Sequence, residues 1–439
     1  MGGDAPARPG AAPPARARSR RSRARPRPVR PRRSAVDEPQ AWIPTDPRSR
    51  PSHDQVVAGL KGVDEGGPEL VQLLTPEGER VPDERFDRYV ADITAEDLRS
   101  LYRDLVLVRR ADREGNSLQR QGELGLWVPL LGQEAAQVGS GRALAPEDMC
   151  FPSYREHGVA WCRGVDPTEL LGIFRGTDHG TWDPVATRFH PYTIVIGNQC
   201  LNATGYAMGQ RFESKVGGSV AGVGTADGDT GEATICYFGD GATSQGDVHE
   251  GFVWAAAYDA PLVFFCQNNQ WAISVPAERQ TRVPLYQRAR GYGFPGVRVD
   301  GNDVLACLAV TRWALDECRT GNGPVLIEAF TYRMDSHTTS DDATRYRLAD
   351  EVELWKLKDP IERVRVHLAR RHGVGADFFD AVEAEADALG ERMRAFCRAM
   401  PQPGPERMFS QVYAEPSPTV ERQREEFLAY HASFADQEG

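Results

Sequence analysis

Short apolar runs alternate with longer helical patterns along most of this chain. Thr234-Ile235-Cys236-Tyr237-Phe238 and Leu262-Val263-Phe264-Phe265-Cys266 are continuous apolar runs of strand length, the pattern of strands buried on both faces. Between them, Asp247 to Tyr258 reads as one helix. Gly296-Val297-Arg298-Val299-Asp300 and Pro324-Val325-Leu326-Ile327-Glu328-Ala329 read as strands on either side of a helix that Asp303 caps and that runs through Cys318. Upstream, Leu98, Leu101, Leu105 and Val108 recur at helical spacing after Thr94, whose hydroxyl can cap a first turn together with Asp97. Gly132-Gln133-Glu134-Ala135 opens a further helix and Asp166-Pro167 another. Val71-Gln72-Leu73-Leu74, followed by Pro76-Glu77-Gly78, suggests a short strand and turn. Residues 361–373 and 375–398 read as two helices. The alternation predicts an α/β fold, a mostly parallel sheet flanked by helices, with C-terminal helices. The expected organisation is an arm over 1–33, an extended segment over 34–93, an α/β domain over 94–360, and a helical region with a tail over 361–439.

Charge separates the arm from the rest. Residues 1–33 carry eleven arginines and one aspartate, so the overall net charge of -11 leaves the remainder strongly acidic. Nucleic acid is therefore a disfavoured partner for the folded part. The arm holds almost no large apolar side chain and is expected to be disordered. It is Arg-rich and acid-poor, like a mitochondrial transit peptide, but its prolines spoil an amphipathic helix. Four lysines beside 48 arginines suggest a GC-rich bacterial coding bias. The arm then reads equally as an over-extended start or as a functional tail. No apolar stretch approaches the roughly 18 residues of a membrane span. The expected location is the bacterial cytoplasm, or the mitochondrial matrix if the chain is eukaryotic. Eight cysteines occur singly, without a CxxC pair, and read as reduced thiols.

Gly239-Asp240-Gly241 ends the first apolar run, and Asn268-Asn269 follows the second. Polar groups at the carboxyl ends of adjacent parallel strands stand where open α/β sheets bind ligands. A carboxylate and an amide oxygen are hard ligands suited to a divalent ion that holds a diphosphate. Glycines let the backbone approach a phosphate closely. Taken alone, each element is a common turn, and the pair carries the reading. Ser153-Tyr154-Arg155-Glu156 sets a phenol and a guanidinium beside a helix start, a set that can pair with phosphate oxygens. Arg333 to Asp342 follows a strand and reads as too polar for core, with His337 as a proton donor or acceptor near neutral pH. A lone loop histidine is ordinarily a surface residue. Arg345 and Arg347 are expected to steady this loop through Asp341 and Asp342. The Gly-rich stretch 217–231 precedes a strand instead of following one and reads as an exposed loop.

Together these segments resemble the alpha subunit of the thiamine-diphosphate-dependent decarboxylating component of 2-oxo acid dehydrogenase complexes. The likeness covers roughly residues 70 to 432, including Gln119-Arg120-Gln121-Gly122 and Val299-Asp300-Gly301-Asn302-Asp303. Met408-Phe409-Ser410-Gln411-Val412-Tyr413 is closer to the branched-chain type than to the pyruvate type.

The resemblance implies the thiamine-diphosphate-binding fold. It also implies oxidative decarboxylation of a branched-chain 2-oxo acid with acyl transfer to a lipoyl group, with pyruvate as the alternative substrate. An inactive cofactor-binding scaffold is the alternative of another class, and a nucleic-acid binder using the arm is a third. The implied cofactors are thiamine diphosphate and Mg2+, with K+ near Asn198 and Gln199. The implied partners are a beta subunit in an α2β2 heterotetramer, a lipoylated acyltransferase and a small 2-oxo acid substrate. The beta subunit would supply the carboxylate that activates the cofactor, leaving this chain half an enzyme. Tyr154 and Arg155 would hold the diphosphate. Asp240, Asn269 and the Trp271 carbonyl would bind the metal. Gly239, Gly241 and Ala242 would lie against the phosphates, and Ile194 and Ile196 against the aminopyrimidine. His337 would be the active-site histidine. The chain departs from the pattern at several positions. Gln267 stands where branched-chain relatives often carry an arginine. Gln270-Trp271 replaces the commoner Gly-Tyr. Leu201-Asn202 replaces a proline-containing step. Thr338 stands where animal enzymes carry a regulatory phosphoserine.

Overall fold

The apolar runs become strands because both of their faces are covered. In the computed structural model, residues 70–215, 231–410 and 412–434 are described. The arm, most of the 34–93 segment and nearly all of the Gly-rich stretch lie outside them. The described residues belong to one compact unit. In chain order the strands are β1 (Leu70–Val71), β2 (Met149–Phe151), β3 (Thr234–Gly239), β4 (Leu262–Asn268), β5 (Trp271–Ala272), β6 (Val275–Pro276), β7 (Gly296–Asp300) and β8 (Val325–Phe330). Six of them form a sheet in the order β1-β7-β8-β4-β3-β2, with every neighbouring pair parallel. The short β5 and β6 pair antiparallel beyond the end of β4.

Alternate residues of the central strands feed two cores. Ile235, Tyr237, Val263, Phe265, Val325 and Ile327 face one cluster, while Cys236, Phe238, Leu262, Phe264, Cys266 and Leu326 face the other. This double burial is why the runs lack polar alternation. Phe264 and Phe265 are both fully buried, and each such side chain contributes about 1.5–3 kcal/mol.

The first cluster is covered by α1 (Ala95–Arg120), α2 (Glu134–Ala143) and residues of the 304–319 helix. Thr94 and Asp97 form the expected capping box of α1. Next come α3 (His157–Cys162), α4 (Pro167–Arg175) and α5 (Pro184–Thr187). The second cluster is covered by α6 (Asn198–Lys215) and α7 (Gly246–Ala257). Then follow α8 (Ala277–Gln280), α9 (Arg288–Tyr292) and α10 (Val304–Arg319), with Asp303 capping α10 through the amides of Leu305 and Ala306. After α11 (Ala349–Lys356), the helices α12 (Pro360–His372) and α13 (Ala376–Ala399) contribute Val364, Leu368, Val382 and Leu389 to the first cluster. The chain described ends with α14 (Pro418–Ala432).

The expected strand over 71–74 is shorter than its pattern. Only Leu70 and Val71 pair with β7. The amides of Leu73 and Leu74 turn instead to the Asp303 carboxylate, at 2.6 Å each. A buried side-chain acceptor has taken the donors that a sheet neighbour would have used.

Candidate functional site

The register of β3 on β4 builds the site. Gly239 lies opposite Gln267, so Asp240 leaves the sheet beside Asn268 and Asn269. Asp240 opens a 3₁₀ turn, Asp240–Ser244, that leads into α7. The Thr243 hydroxyl closes the turn on the Asp240 carbonyl at 2.6 Å. The Thr243 carbonyl in turn accepts from Arg288 Nη1 at 2.7 Å. Gly241 has a packing reason to be glycine: a Cβ there would lie 2.7 Å from Ala272 Cβ. Around Gly239 the corresponding space is open.

The two asparagines divide the work. Asn268 turns into the sheet and donates to Glu328 Oε1 at 2.7 Å, while its own Oδ1 accepts the Gln270 amide. Asn269 faces the Asp240 turn. Its Nδ2 donates to Gln133 Oε1 at 3.1 Å, and its Oδ1 accepts the Trp271 amide at 3.2 Å. Gln270, at the position of the commoner glycine, has φ 69°, and its side chain donates to the Thr331 carbonyl at 2.7 Å. The Trp271 ring is packing, buried against Tyr346 at 5.4 Å.

Asp240 is buried, and burial pushes its carboxyl up to about 6. The Gln280 side-chain amide, main-chain N–H groups including that of Asn269, and the Arg333 charge act in the other direction. An anion at neutral pH therefore sits here at an electrostatic cost that a cation would relieve. Asp240, Asn269 and the Trp271 carbonyl thus lie on adjoining turns, and the structure brings them to one place. The Trp271 carbonyl already accepts from Arg333 Nη1 at 3.1 Å, so a metal there would share that oxygen.

Arg333 corrects the sequence reading. The polar stretch it opens is not all outside the core, because Arg333 is fully buried. Its guanidinium reaches the carbonyls of Trp271 and Ile273, the Tyr346 hydroxyl at 2.9 Å and His337 Nδ1 at 3.4 Å. It ties the turn after β4 to the histidine loop. Composition hid it, since a charged residue after a strand reads as solvated. The signal that could have found it is its place directly behind the apolar run of β8.

Arg155 approaches from the other side. It is buried, and it donates to the Pro129 carbonyl, to the His337 carbonyl at 2.9 Å and towards His337 Nδ1 at 3.2 Å. Tyr154 is half-buried, with its ring edge-on to His337 at 6.1 Å. His337 is not the free surface residue that the loop pattern suggests. Burial, then the charges of Arg155 and Arg333, pull its pKa down to about 3. It stands as a neutral imidazole with Nδ1 turned towards two guanidinium groups. The loop is steadied differently from expectation. Arg347 donates to the carbonyls of Arg333, Met334 and Asp335 instead of to Asp341 or Asp342. Asp341 accepts from the His337 amide and the Tyr346 hydroxyl, and Asp342 caps a turn at Thr344.

Ile194 and Ile196 are exposed, at 67% and 38%, with Val195 between them at 69%. The Thr193 amide donates to the Ser153 carbonyl at 2.9 Å, which starts this run beside Tyr154. Gly197 approaches Gln245 and Val248 at the beginning of α7. The apolar run therefore bridges from the Tyr154 loop to the start of α7. Gln199 follows, buried, with Nε2 on the Tyr237 carbonyl and Oε1 without a hydrogen-bond partner. Gln267 takes no arginine's part: it donates to Glu156 Oε1 at 2.7 Å and accepts from Gln137 at 2.9 Å.

Among the described residues, neither Arg155 nor Arg333 has a carboxylate within ion-pair distance. Two buried guanidinium groups, neither in a direct ion pair, share the site with the buried carboxylates of Asp240 and Glu156, and burial pushes both of those carboxyls up. Such a site accepts an anion. No cluster of three or more His, Cys, Asp or Glu side chains able to hold a metal occurs among the described residues. A cation would thus rely on Asp240 and neutral oxygens, with phosphate completing its shell.

Residues 102–406 match the family described as dehydrogenase E1 component. The chain is 43% identical over 363 residues to the 3-methyl-2-oxobutanoate dehydrogenase subunit alpha of Mycobacterium tuberculosis, covering 82% of this chain and 94% of that protein. It is 36% identical over 340 residues to the pyruvate dehydrogenase E1 component subunit alpha of Acholeplasma laidlawii, covering 76% and 94%. The subunit of that name from Staphylococcus aureus is 40% identical over 305 residues, covering 69% and 77%.

Proposed function

The chain belongs to the dehydrogenase E1 component family, and on that footing we propose that it is the alpha subunit of a branched-chain 2-oxo acid dehydrogenase. The reaction is oxidative decarboxylation of a branched-chain 2-oxo acid, with the acyl group passed to a lipoyl acceptor. The name of the 43% identical relative supports the branched-chain substrate, and the pyruvate-named relatives make pyruvate the second reading. The family is thiamine-diphosphate-dependent.

The observation that carries the reading is the charge pattern at the ends of β3 and β4. Arg155 and Arg333 are buried without a direct ion pair among the described residues, and Asp240 is a desolvated anion beside the Asn269 amide oxygen. The pattern fits a diphosphate and one divalent cation together. Asp240, Asn269 and the Trp271 carbonyl would hold Mg2+. Tyr154, Arg155 and the backbone from Gly239 through Ala242 would hold the diphosphate. The orphaned Gln199 Oε1 fits a monovalent cation such as K+, with Asn198 beside it. When bound, thiamine diphosphate supplies the carbon nucleophile and the electron sink for decarboxylation. The chain's own residues bind and orient. His337, neutral at physiological pH, is placed to donate a hydrogen bond to charge developing on the substrate.

Exposed Ile194, Val195 and Ile196 at the site's edge support completion by a beta subunit in an α2β2 assembly. A lipoylated acyltransferase would then take the acyl group. Among the described residues no helix is long and apolar enough to cross a membrane. With bacterial relatives, we place the enzyme in the cytoplasm.

The test is steady-state kinetics with the beta subunit and a lipoylated acceptor. kcat/KM for 3-methyl-2-oxobutanoate should exceed that for pyruvate by roughly 10-fold or more, the order that extra methyl groups confer in an apolar pocket. The chain without its beta subunit should be inactive. A preference for pyruvate would give the second reading the field, and turnover by the chain alone would end both.

A further inference from the structure

The two side chains assigned to the metal are each held by a glutamine. Gln280 Nε2 donates to Asp240 Oδ2 at 2.9 Å. Gln133 Oε1 accepts from Asn269 Nδ2 at 3.1 Å. Gln280 is the last residue of α8, and that helix packs on the 3₁₀ turn that starts at Asp240. Gln133 is fully buried at the start of α2, its backbone N–H donating to the Leu130 carbonyl at 2.9 Å and its side-chain Nε2 to the same oxygen at 3.5 Å. The two glutamines therefore come from separate elements of the chain.

Their polarities are opposite, and each is the one that a cation requires. Asp240 has two equivalent oxygens. A donor on Oδ2 fixes the carboxylate rotamer and leaves Oδ1 to point elsewhere. Asn269 has one oxygen and one nitrogen, and only the oxygen can ligate. An acceptor on Nδ2 selects the flip in which Oδ1 faces away from Gln133, towards the Trp271 amide. Neither glutamine adds charge, so neither competes with the metal or repels the diphosphate.

We propose that Gln280 and Gln133 are positioning residues that set the oxygen geometry of the divalent-cation site, and thereby its preference for a small, strictly octahedral ion. The inference rests on the proposed function and specifies its metal selectivity. Mg2+ demands near-ideal octahedral geometry, whereas Ca2+ tolerates irregular shells. Partners that orient a ligand typically contribute about 10–100-fold in metal affinity. Loosening Asp240 or Asn269 should therefore weaken Mg2+ more than Ca2+.

The experiment uses the enzyme assembled with its beta subunit. Thiamine diphosphate is titrated calorimetrically with Mg2+ and, separately, with Ca2+, in wild type, Gln280→Met and Gln133→Met. Methionine keeps the length and volume but neither donates nor accepts strongly. Gln280 is half-buried at a helix end, so its variant should fold even if the buried Gln133 variant does not. The expected result is a loss of about 10-fold or more in Mg2+-supported affinity, with a loss of at most a few-fold for Ca2+. Raised Mg2+ should restore full binding. Equal losses with both ions, or no loss, would overturn the positioning role, because a merely structural residue would weaken both alike. If wild type itself binds thiamine diphosphate with no divalent ion, the metal reading of the site fails first.

Discussion

Two regions of the site invert the usual rule of burial, in opposite senses. The cradle at the ends of β3 and β4 is polar and buried, with Asp240, Asn269 and Arg333 almost wholly out of solvent. The run over Ile194 to Ile196 is apolar and exposed. In the cradle the side chains find partners within this chain: Gln280, Gln133 and the carbonyls of Trp271 and Ile273. The apolar run finds none and waits for something to cover it. Buried polar groups persist only when satisfied, and exposed apolar groups commonly mark an interface. One region is therefore preorganised by the fold, and the other is left open, where the proposed function would have cofactor and partner complete it.

The largest effect should come from the cradle. Asp240→Ala should abolish calorimetrically detectable, magnesium-dependent binding of thiamine diphosphate by the assembled enzyme. The fold should survive, because a desolvated carboxylate is no source of stability. Unchanged affinity would move the metal elsewhere.

His337 lies between the two regions, held by Arg155 and Arg333. His337→Ala should keep cofactor affinity within a few-fold yet lower turnover by roughly 10²–10⁴-fold, the range of positioned proton-transfer groups. Its titration offers a second reading. Burial is the largest cause of its low pKa, and a diphosphate beside the two arginines would offset only the smaller part that their charges contribute, so the pKa should move upward on binding but stay below the ordinary histidine value. NMR titration of the imidazole with and without thiamine diphosphate should show that upward move. An unchanged or lower midpoint would place the phosphates away from these arginines.

A smaller effect should sharpen the contrast from the apolar side. Ile194→Asp should leave the isolated chain's stability within about 0.5 kcal/mol, since the side chain is already in solvent. In the assembled enzyme it should weaken the beta-subunit or cofactor interaction by about 10-fold, read by sedimentation and by titration. A drop in stability of the free chain would mean that the run is covered by this chain itself.

The smallest concerns Gln270. Gln270→Gly would release left-handed strain of about 1–2 kcal/mol. It would also lose the bond to the Thr331 carbonyl, worth about 0.5–1.5 kcal/mol. Chemical denaturation should therefore shift by less than about 1 kcal/mol. A much larger shift would show that the side chain shapes the whole turn.

Much of this was legible in the order of residues. The central strands, the caps at Thr94 and Asp303, and the pairing of the Asp240 turn with the double asparagine all follow from local pattern. The resemblance singled out Arg155, Tyr154 and His337, which the structure places side by side. Other features were not legible. A strand of four residues shrank to two because Asp303, some 230 positions away, took its amides. Arg347 steadies the histidine loop through carbonyls, which carry no signature in side-chain sequence.

What the sequence determined is what depends on short range: which segments are strands or helices, where they stop, and which turn residues carry side-chain oxygens. Hydrophobic period and capping act within a few residues, so the chain states them openly. Only the tertiary structure decided that Arg333 is buried, that His337 is neutral, that Asp240 and Asn269 are each held by a glutamine, and that Ile194 is left bare. Each of these depends on desolvation and on partners brought from distant elements. A residue's charge state and its free lone pairs are properties of its surroundings, and those exist only once the sheet has closed.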